Sequence, residues 1–336
     1  MVMGTSMFFL RIFIATTFFF ASIFAFDVPT IAFEDGFSKL FGDDNLVISP
    51  DGKSVSLTLN RYTGSGFISS EAYHNGFFSA SIKLPKGHSA GVVVAFYLSN
   101  GDVYEKTHDE LDFEFLGNRR GREWRIQTNV YGNGSTDHGR EERYLLPFDP
   151  SEAFHQYSIL WTANHIIFYI DNVPIREVIH AEGMGLDYPS KPMYLYATIW
   201  DGSAWATENG KYKVSYKYSP FIAEFTDLVL VGCQASATEC TGPDFELATA
   251  DYNIMTLPKR SAMRRYKERY MTYTVCYDII RYPTTFPECE HDSAERQTFW
   301  DWGESKIVMP PKPRSRSRSK RRVRPASNVY VGQRVF

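Results

Sequence analysis

Cysteine is scarce in this chain of 336 residues, and the first 232 have none. The four that occur, Cys233, Cys240, Cys276 and Cys289, all fall in the C-terminal third. They form no CxxC pair, which argues against the alternative of a zinc site. An even number within one region points to two disulfides, for which three connectivities exist. The local pairs Cys233–Cys240 and Cys276–Cys289 are favoured because each closes a short loop, a constraint worth roughly 2–3 kcal/mol by chain entropy. Long apolar runs are as rare. One stretches from Ile12 to Phe24, short of the ~20 residues a membrane-spanning helix needs. It ends in small residues around Ala21 and Ala25, as a secretory signal peptide cleaved near Ala25 would. Arg11 interrupts it and the extreme N-terminus has little charge, so an N-terminal membrane anchor is the competing reading. No other segment is apolar for long enough to cross a bilayer.

Acidic residues are missing from the last 25 positions. Residues 312–336 carry nine Lys or Arg. Removing that +9 from the chain's formal charge of -3 leaves residues 1–311 at -12, an acidic body with a basic tail. The tail begins "PPKPRSRSRSKRRVRP". Pro, Ser and Arg in that proportion cannot bury a core, so it is expected to be disordered.

Helical periodicity is absent from Asn45 to about Gly232, and so is any internal repeat. What fills this region is strand after strand. "SVSLTLN" alternates Val55, Leu57 and Leu59; "GFFSASIKLP" alternates Phe78, Ala80, Ile82 and Leu84; "WRIQTNVY" alternates Trp124, Ile126, Thr128 and Val130. "KYKVSYKY" alternates lysines with Tyr212, Val214, Tyr216 and Tyr218. "VVVAFYL", "HIIFYID" and "PMYLYATIW" are more continuously apolar, as central strands are. Gly, Pro, Asn and Asp punctuate the runs. The chain is 43% hydrophobic and 16% aromatic, ample for a large core. This pattern predicts an all-β fold, an antiparallel β-sandwich. Near residues 258–272 the pattern turns helical, with Pro258 at its start and a basic surface.

One strand is unusual. "THDELDFEFLGN" (residues 107–118) alternates Glu110, Asp112 and Glu114 with Leu111, Phe113 and Phe115. Period-2 alternation sends the three acids to one face and the apolar residues to the core. Crowded like charges raise at least one carboxyl pKa, which is how a site obtains one protonated and one ionised acid. Retaining glycosidases use such a pair with carboxyl groups about 5–5.5 Å apart. A solvated face would mix in Lys, Thr or Ser. A calcium site would need oxygens wrapped around the ion, which a single straight strand does poorly.

"HDELDFEFLGN" resembles the catalytic strand of the xyloglucan endotransglucosylase/hydrolase family of plant cell walls, part of glycoside hydrolase family 16. "WRIQTNVYGNGS", "GREER", "FHQYSILWT", "YIDNVPIRE", "IWDGSAWAT" and the C-terminal "YMTYTVCYDIIRYPTTFPEC" agree with it. The similarity runs from about Phe33 to Trp302. It implies a curved jelly-roll sandwich over residues 26–232, after a signal peptide at 1–25. A C-terminal extension with two disulfides and a short helix is implied for 233–302, followed by the basic tail at 303–336.

By the same resemblance Glu110 is the nucleophile, Glu114 the general acid/base and Asp112 their helper. The glycosyl-enzyme would be resolved by a second xyloglucan chain end or by water, with no metal and no organic cofactor. The positions that match the family's sugar contacts are Gln127, Thr128, Asn129, Arg140, Glu141, Trp205 and Gly210, with Glu114 itself. Gln127 and Asn129 share one strand face, and Trp205 offers a flat apolar surface to a pyranose ring; Trp200 is as readily a core residue. His108 is expected to support the site by a hydrogen bond while lying off Glu110's face. The implied location is the apoplast, and the implied partners are xyloglucan donor and acceptor chains, bound by a monomer.

Two features depart from the family. The place after the catalytic strand where many members carry a glycosylation sequon reads "GNRRG", so Asn118 is no acceptor. A sequon does occur at Asn133-Gly134-Ser135, although Asn-Gly is also a favoured tight turn. The basic tail is not typical of the family either. A signal peptide would deny the tail access to nucleic acid; acidic pectin is its candidate partner, and an unbound solvated tail is the equal alternative. A non-catalytic wall-binding module remains the rival function. It gives no reason to gather three repelling acids.

Overall fold

A computed structural model of the chain describes residues 26–240, 247–289 and 292–302. The expected leader and basic tail lie outside these residues. The alternating strands pair into two antiparallel sheets. The eight-stranded sheet is ordered β1 (Phe37–Phe41), β4 (Ser65–Ser69), β13 (Tyr194–Asp201), β6 (Val92–Ser99), β7 (Glu110–Leu116), β8 (Arg125–Tyr131), β9 (Glu142–Leu145), β15 (Met271–Thr274). The seven-stranded sheet is ordered β12 (Val173–Ile179), β11 (His165–Ile170), β10 (His155–Trp161), β5 (Tyr73–Lys83), β14 (Phe221–Gln234), β3 (Ser54–Leu59), β2 (Leu46–Ile48). The antiparallel sandwich read from the alternation is therefore the fold.

The sheets meet through the apolar half of each strand. Phe113 and Phe115 of β7 are fully buried. Phe113 meets Phe168 edge to face at 5.1 Å, and Phe115 meets Tyr157 at 4.6 Å, the geometry aromatic quadrupoles favour. β5 is buried on both faces because the outer side of its sheet is covered too. There Phe77, Tyr169 and Val229 pack with Leu247 and Tyr252 from the C-terminal extension and with Phe26. Phe77 and Tyr252 stack at 4.2 Å. The extension thus braces the sheet opposite the acidic strand as well as extending the sheet that contains it.

Two local expectations need correction. "KYKVSYKY" is not a strand. Residues 216–218 form a short 3-10 turn, and the segment lies along the rim, with Tyr216 donating to Asp201 at 2.6 Å and Val214 N–H to Ser203 at 2.9 Å. Alternation marks a strand only where a partner edge is free to pair, and loop anchors took these groups instead. The helix α2 (Leu257–Tyr270), which follows a single turn α1 (Phe33–Gly36), is no plain surface helix. Thr256 caps it by accepting from Lys259 N–H, and Pro258 sits in its first turn. Its basic side chains pair with sheet acids, Arg260 with Glu177 at 2.6 Å and Lys267 with Glu142 at 3.1 Å. A further helix, α3 (Ser293–Trp302), packs Phe299 on Tyr277, so the described residues of the extension hold more than the one short helix expected.

Both disulfides pair locally as expected, Cys233 with Cys240 and Cys276 with Cys289, at Cα separations of 5.4 and 5.5 Å. The thiols are therefore not metal ligands.

Candidate active site

Strand register builds the site. Antiparallel pairing sets residues directly opposite one another on the same face, so the outer face of the eight-stranded sheet reads as rows across the strands. Glu110 lies between Ser99 of β6 and Tyr131 of β8. Asp112 lies between Tyr97 and Asn129, with Tyr196 of β13 beyond Tyr97. Glu114 lies between Ala95 and Gln127, followed outward by Arg143 of β9 and Tyr273 of β15. Tyr97 and Tyr196 stack at 5.0 Å beside the middle acid.

Each carboxyl has its own partner. Gln127 Nε2 donates to Glu114 Oε2 at 2.6 Å, and Gln127 Oε1 accepts from Arg143 Nε at 2.5 Å. With both ends engaged the amide's orientation is fixed. Burial pushes the Glu114 carboxyl up to about 7; the Gln127 hydrogen bond opposes this, while the charges of Glu110 and Glu141 reinforce it. Asp112 is buried, and burial together with the charges of Glu110 and Glu114 raises its pKa well above the ordinary carboxyl value. It also hydrogen-bonds Asn129 and Glu110. Glu110 Oε1 accepts from the Tyr131 hydroxyl at 2.7 Å. Burial and like charge thus favour the protonated form of Asp112, while Glu114, at about 7, sits near its midpoint at neutral pH, as a group that gives and takes a proton must.

His108 is closer than its sequence position suggested. Its Nε2 is 2.8 Å from the Tyr131 hydroxyl and 3.9 Å from Glu110 Oε2, so it lies on Glu110's side and not off it. Asp109, fully buried, ties three segments together. Its carboxylate accepts from Asn133 N–H and Lys191 Nζ on one oxygen, and from Ser190 and Lys191 N–H on the other, all at 2.7–2.8 Å.

The expected sugar contacts divide. Asn129 and Trp205 are half-exposed on the outer side. Trp205 packs with Trp200, Val93, Leu116 and Ala206, and lines a cavity of about 210 Å³ next to the Glu114 row. Arg125, Arg143, Tyr273 and Arg281 line it too. Gly210 closes the turn that carries Trp205. Its φ is +77°, and a β-carbon there would collide with the Ala204 carbonyl, so its part is backbone shape. Glu141 is held by Arg281, which donates to its two oxygens at 2.9 and 3.2 Å, and by Arg143 at 3.3 Å.

Two expected contacts do not reach the face. Thr128 alternates inward, fully buried, and its hydroxyl accepts from Arg176 at 2.9 Å. Arg140 is only 1% exposed, its guanidinium held by Glu288 and by Asp187 at 3.3 Å and lying over the Phe286 ring at 4.7 Å. Its work is to clamp the disulfide-bearing extension to the sandwich. Gln127, only 5% exposed, serves Glu114 before it serves a sugar. Tyr131, Tyr97, Arg143, Tyr273 and Arg281 were not foreseen. Tyr131 could have been, since it shares a parity with Gln127 and Asn129.

The chain is similar to known proteins over most of its length. Residues 33–218 match the family model of Glycosyl hydrolases family 16, and residues 246–289 match that of the Xyloglucan endo-transglycosylase (XET) C-terminus. "Probable xyloglucan endotransglucosylase/hydrolase protein 28" of Arabidopsis thaliana is 59% identical over 271 residues, covering 80% of this chain and 82% of its own. Protein 30 of the same series and organism is 57% identical over 286 residues, covering 84% and 83%. A crystal structure of a prokaryotic beta-1,3-1,4-glucanase (lichenase) has a TM-score of 0.47 at 23% identity, covering 58% of this chain and 92% of its own. By both family models and by these relatives, the chain belongs to the xyloglucan endotransglucosylase/hydrolases of glycosyl hydrolases family 16.

Proposed function

We propose that this protein is a retaining transglycosylase that cuts the β-1,4-glucan backbone of xyloglucan and rejoins it to another xyloglucan chain end, remodelling the plant cell wall from the apoplast. The reading rests on one observation above others: three acids in a row on one face of β7, with Glu114 held by the Gln127 amide and Glu110 by the Tyr131 hydroxyl.

In the first step a Glu110 carboxylate oxygen bonds to the anomeric carbon as the glycosidic C–O bond breaks. Glu114 gives its proton to the departing oxygen. In the second step an acceptor hydroxyl attacks the same carbon, Glu114 takes that hydroxyl's proton, and Glu110 is released. Asp112, neutral, donates to Glu110 and keeps the middle of the row uncharged. Asn129 and Trp205 are the candidate sugar contacts. Asn133 is exposed in a left-handed Asn-Gly turn, φ +52°, which leaves its sequon open to glycosylation.

The decisive experiment uses purified protein with xyloglucan and follows chain-length redistribution against release of reducing ends. Redistribution with few new ends is expected. Glu110→Ala should abolish it while xyloglucan binding stays measurable. A wild-type protein that binds xyloglucan but neither transfers nor cleaves it would overturn the proposal in favour of a wall-binding module.

A further inference from the structure

Glu110 is not held by its own row alone. The Tyr131 hydroxyl that donates to Glu110 Oε1 is itself 2.8 Å from His108 Nε2, and the two rings meet edge to face at 5.2 Å. We infer that Tyr131 and His108 form a positioning relay, in which the imidazole aims a phenol and the phenol orients the nucleophile and holds it ionised. The inference rests on Glu110 being the nucleophile.

Proton counting fixes the direction of the relay. A hydroxyl has one proton to give. Tyr131 is buried, and burial together with the charges of Asp112 and Glu110 pushes its pKa far above ordinary, so the phenol stays protonated. A carboxylate only accepts, so that proton goes to Glu110, and His108 must then be the donor to Tyr131 through Nε2–H. His108 Nδ1 is buried without a hydrogen-bond partner among the described residues. If Nδ1 bore the proton, it would be a buried unsatisfied N–H, which costs more than a bare lone pair in the same place, and Tyr131 would have to turn its proton away from Glu110.

The backbone delivers the ring to this position. Gly134 N–H donates to the His108 carbonyl at 2.7 Å. The next residue, Asp109, is tied by its carboxylate to Asn133, Ser190 and Lys191. His108 is therefore held as firmly as a strand residue although it precedes β7.

The charges around Glu110 give the relay a task. On its own strand stand Asp112 and Glu114. From β6 Tyr97 faces the row, with Asp102 behind it, bonded to Tyr196 of β13 at 2.8 Å. A cation does stand behind the other end of the row, where Arg143 of β9 backs Gln127 beside Glu114. Like charges and burial both favour a protonated carboxyl, and a nucleophile must resist that. A donated hydrogen bond stabilises the ionised form without adding a charge, and successive bonds polarise one another. In the covalent intermediate the same donor would sit on the ester's carbonyl oxygen and ease the carboxylate's departure.

The test compares the full-length wild type, Tyr131→Phe, His108→Leu, His108→Gln and the double variant Tyr131→Phe with His108→Leu. Losing the donor removes a hydrogen bond that favours the carboxylate, so the acid limb of kcat against pH moves to higher pH. In Tyr131→Phe, kcat should fall about tenfold, as for a hydrogen bond to a charged group, with KM within about twofold. His108→Leu should move the limb the same way by less, and His108→Gln, which keeps an N–H, should restore it. The double variant should match Tyr131→Phe, because His108 acts through the phenol. An unmoved limb, or losses in the two single variants that simply add, overturns the relay. Should Tyr131→Phe not fold, His108→Leu against His108→Gln decides alone. Carboxyl carbon NMR of Glu110 in wild type and variants needs no turnover. An inactive wild type would thus defeat the proposed function, whereas a Glu110 carboxyl signal identical in wild type and Tyr131→Phe would defeat the relay.

Discussion

The two ends of the acidic row are served differently. Glu110 is met by a neutral phenol backed by an imidazole. Glu114 is met by an amide backed by a guanidinium, and beyond that by Glu141, Arg281 and Tyr273. The second chain crosses from the sandwich into the C-terminal extension, while the first stays within the sandwich. The contrast suits the two tasks. A nucleophile keeps one charge state until it forms a bond, and fixed neutral donors serve that. An acid/base group gains and loses a proton every cycle, and burial and Glu141, opposed by Gln127 and Arg143, hold its pKa near neutrality.

The sharpest break of this comparison asks which end supplies the proton. Glu114→Ala should slow transfer from ordinary xyloglucan by about 10²–10⁴-fold. A donor oligosaccharide with fluoride as leaving group needs no protonation, so its first step should recover in Glu114→Ala and remain dead in Glu110→Ala. Stopped-flow release of fluoride reads this directly. Recovery in the Glu110 variant instead would exchange the two roles.

The next effect is on stability. Arg140 was expected to touch sugar, yet it is buried between Glu288 and Asp187. Arg140→Met leaves two carboxylates without their cation, and removing one partner of a buried pair destabilises by roughly 3 kcal/mol, the low end for such losses because Glu288 is 12% exposed. Denaturant unfolding should show that loss with KM for xyloglucan nearly unchanged in the folded fraction. A raised KM with unaltered stability would return Arg140 to the groove.

Arg140 also shows where the sequence stopped being legible. Alternation alone placed Glu110, Asp112 and Glu114 on one face and Leu111, Phe113 and Phe115 in the core, because parity along one strand is a local property. Thr128 was misassigned for the same reason it could have been placed: its parity differs from that of Gln127 and Asn129, and it points inward. Parity put Tyr131 on the face of Gln127 and Asn129, but its place directly opposite Glu110 needed the β7–β8 register, which a residue pattern does not carry across the intervening loop. Arg140 needed the C-terminal extension folded back on the sandwich, a contact 148 residues away along the chain. "KYKVSYKY" alternated like a strand, but its groups are held by the rim, Tyr216 on Asp201 and Val214 on Ser203, contacts that alternation does not show.

The smallest effect tests the Glu114 end most closely. Transfer requires Glu114 protonated in the first step, so activity should fall on the alkaline side with a midpoint near the value of about 7 to which burial raises it. The Gln127 hydrogen bond favours the ionised form and so lowers that pKa. In Gln127→Met the donor is gone, the pKa rises, and the alkaline limb should move to higher pH, by up to about one unit if the bond is worth that of an ordinary charge-assisted donor. The acid limb, which belongs to the Glu110 end, should stay where it is. Tyr131→Phe should do the reverse, moving the acid limb and sparing the alkaline one. If either substitution moves both limbs together, the row titrates as one coupled set, and the division of labour between its ends fails.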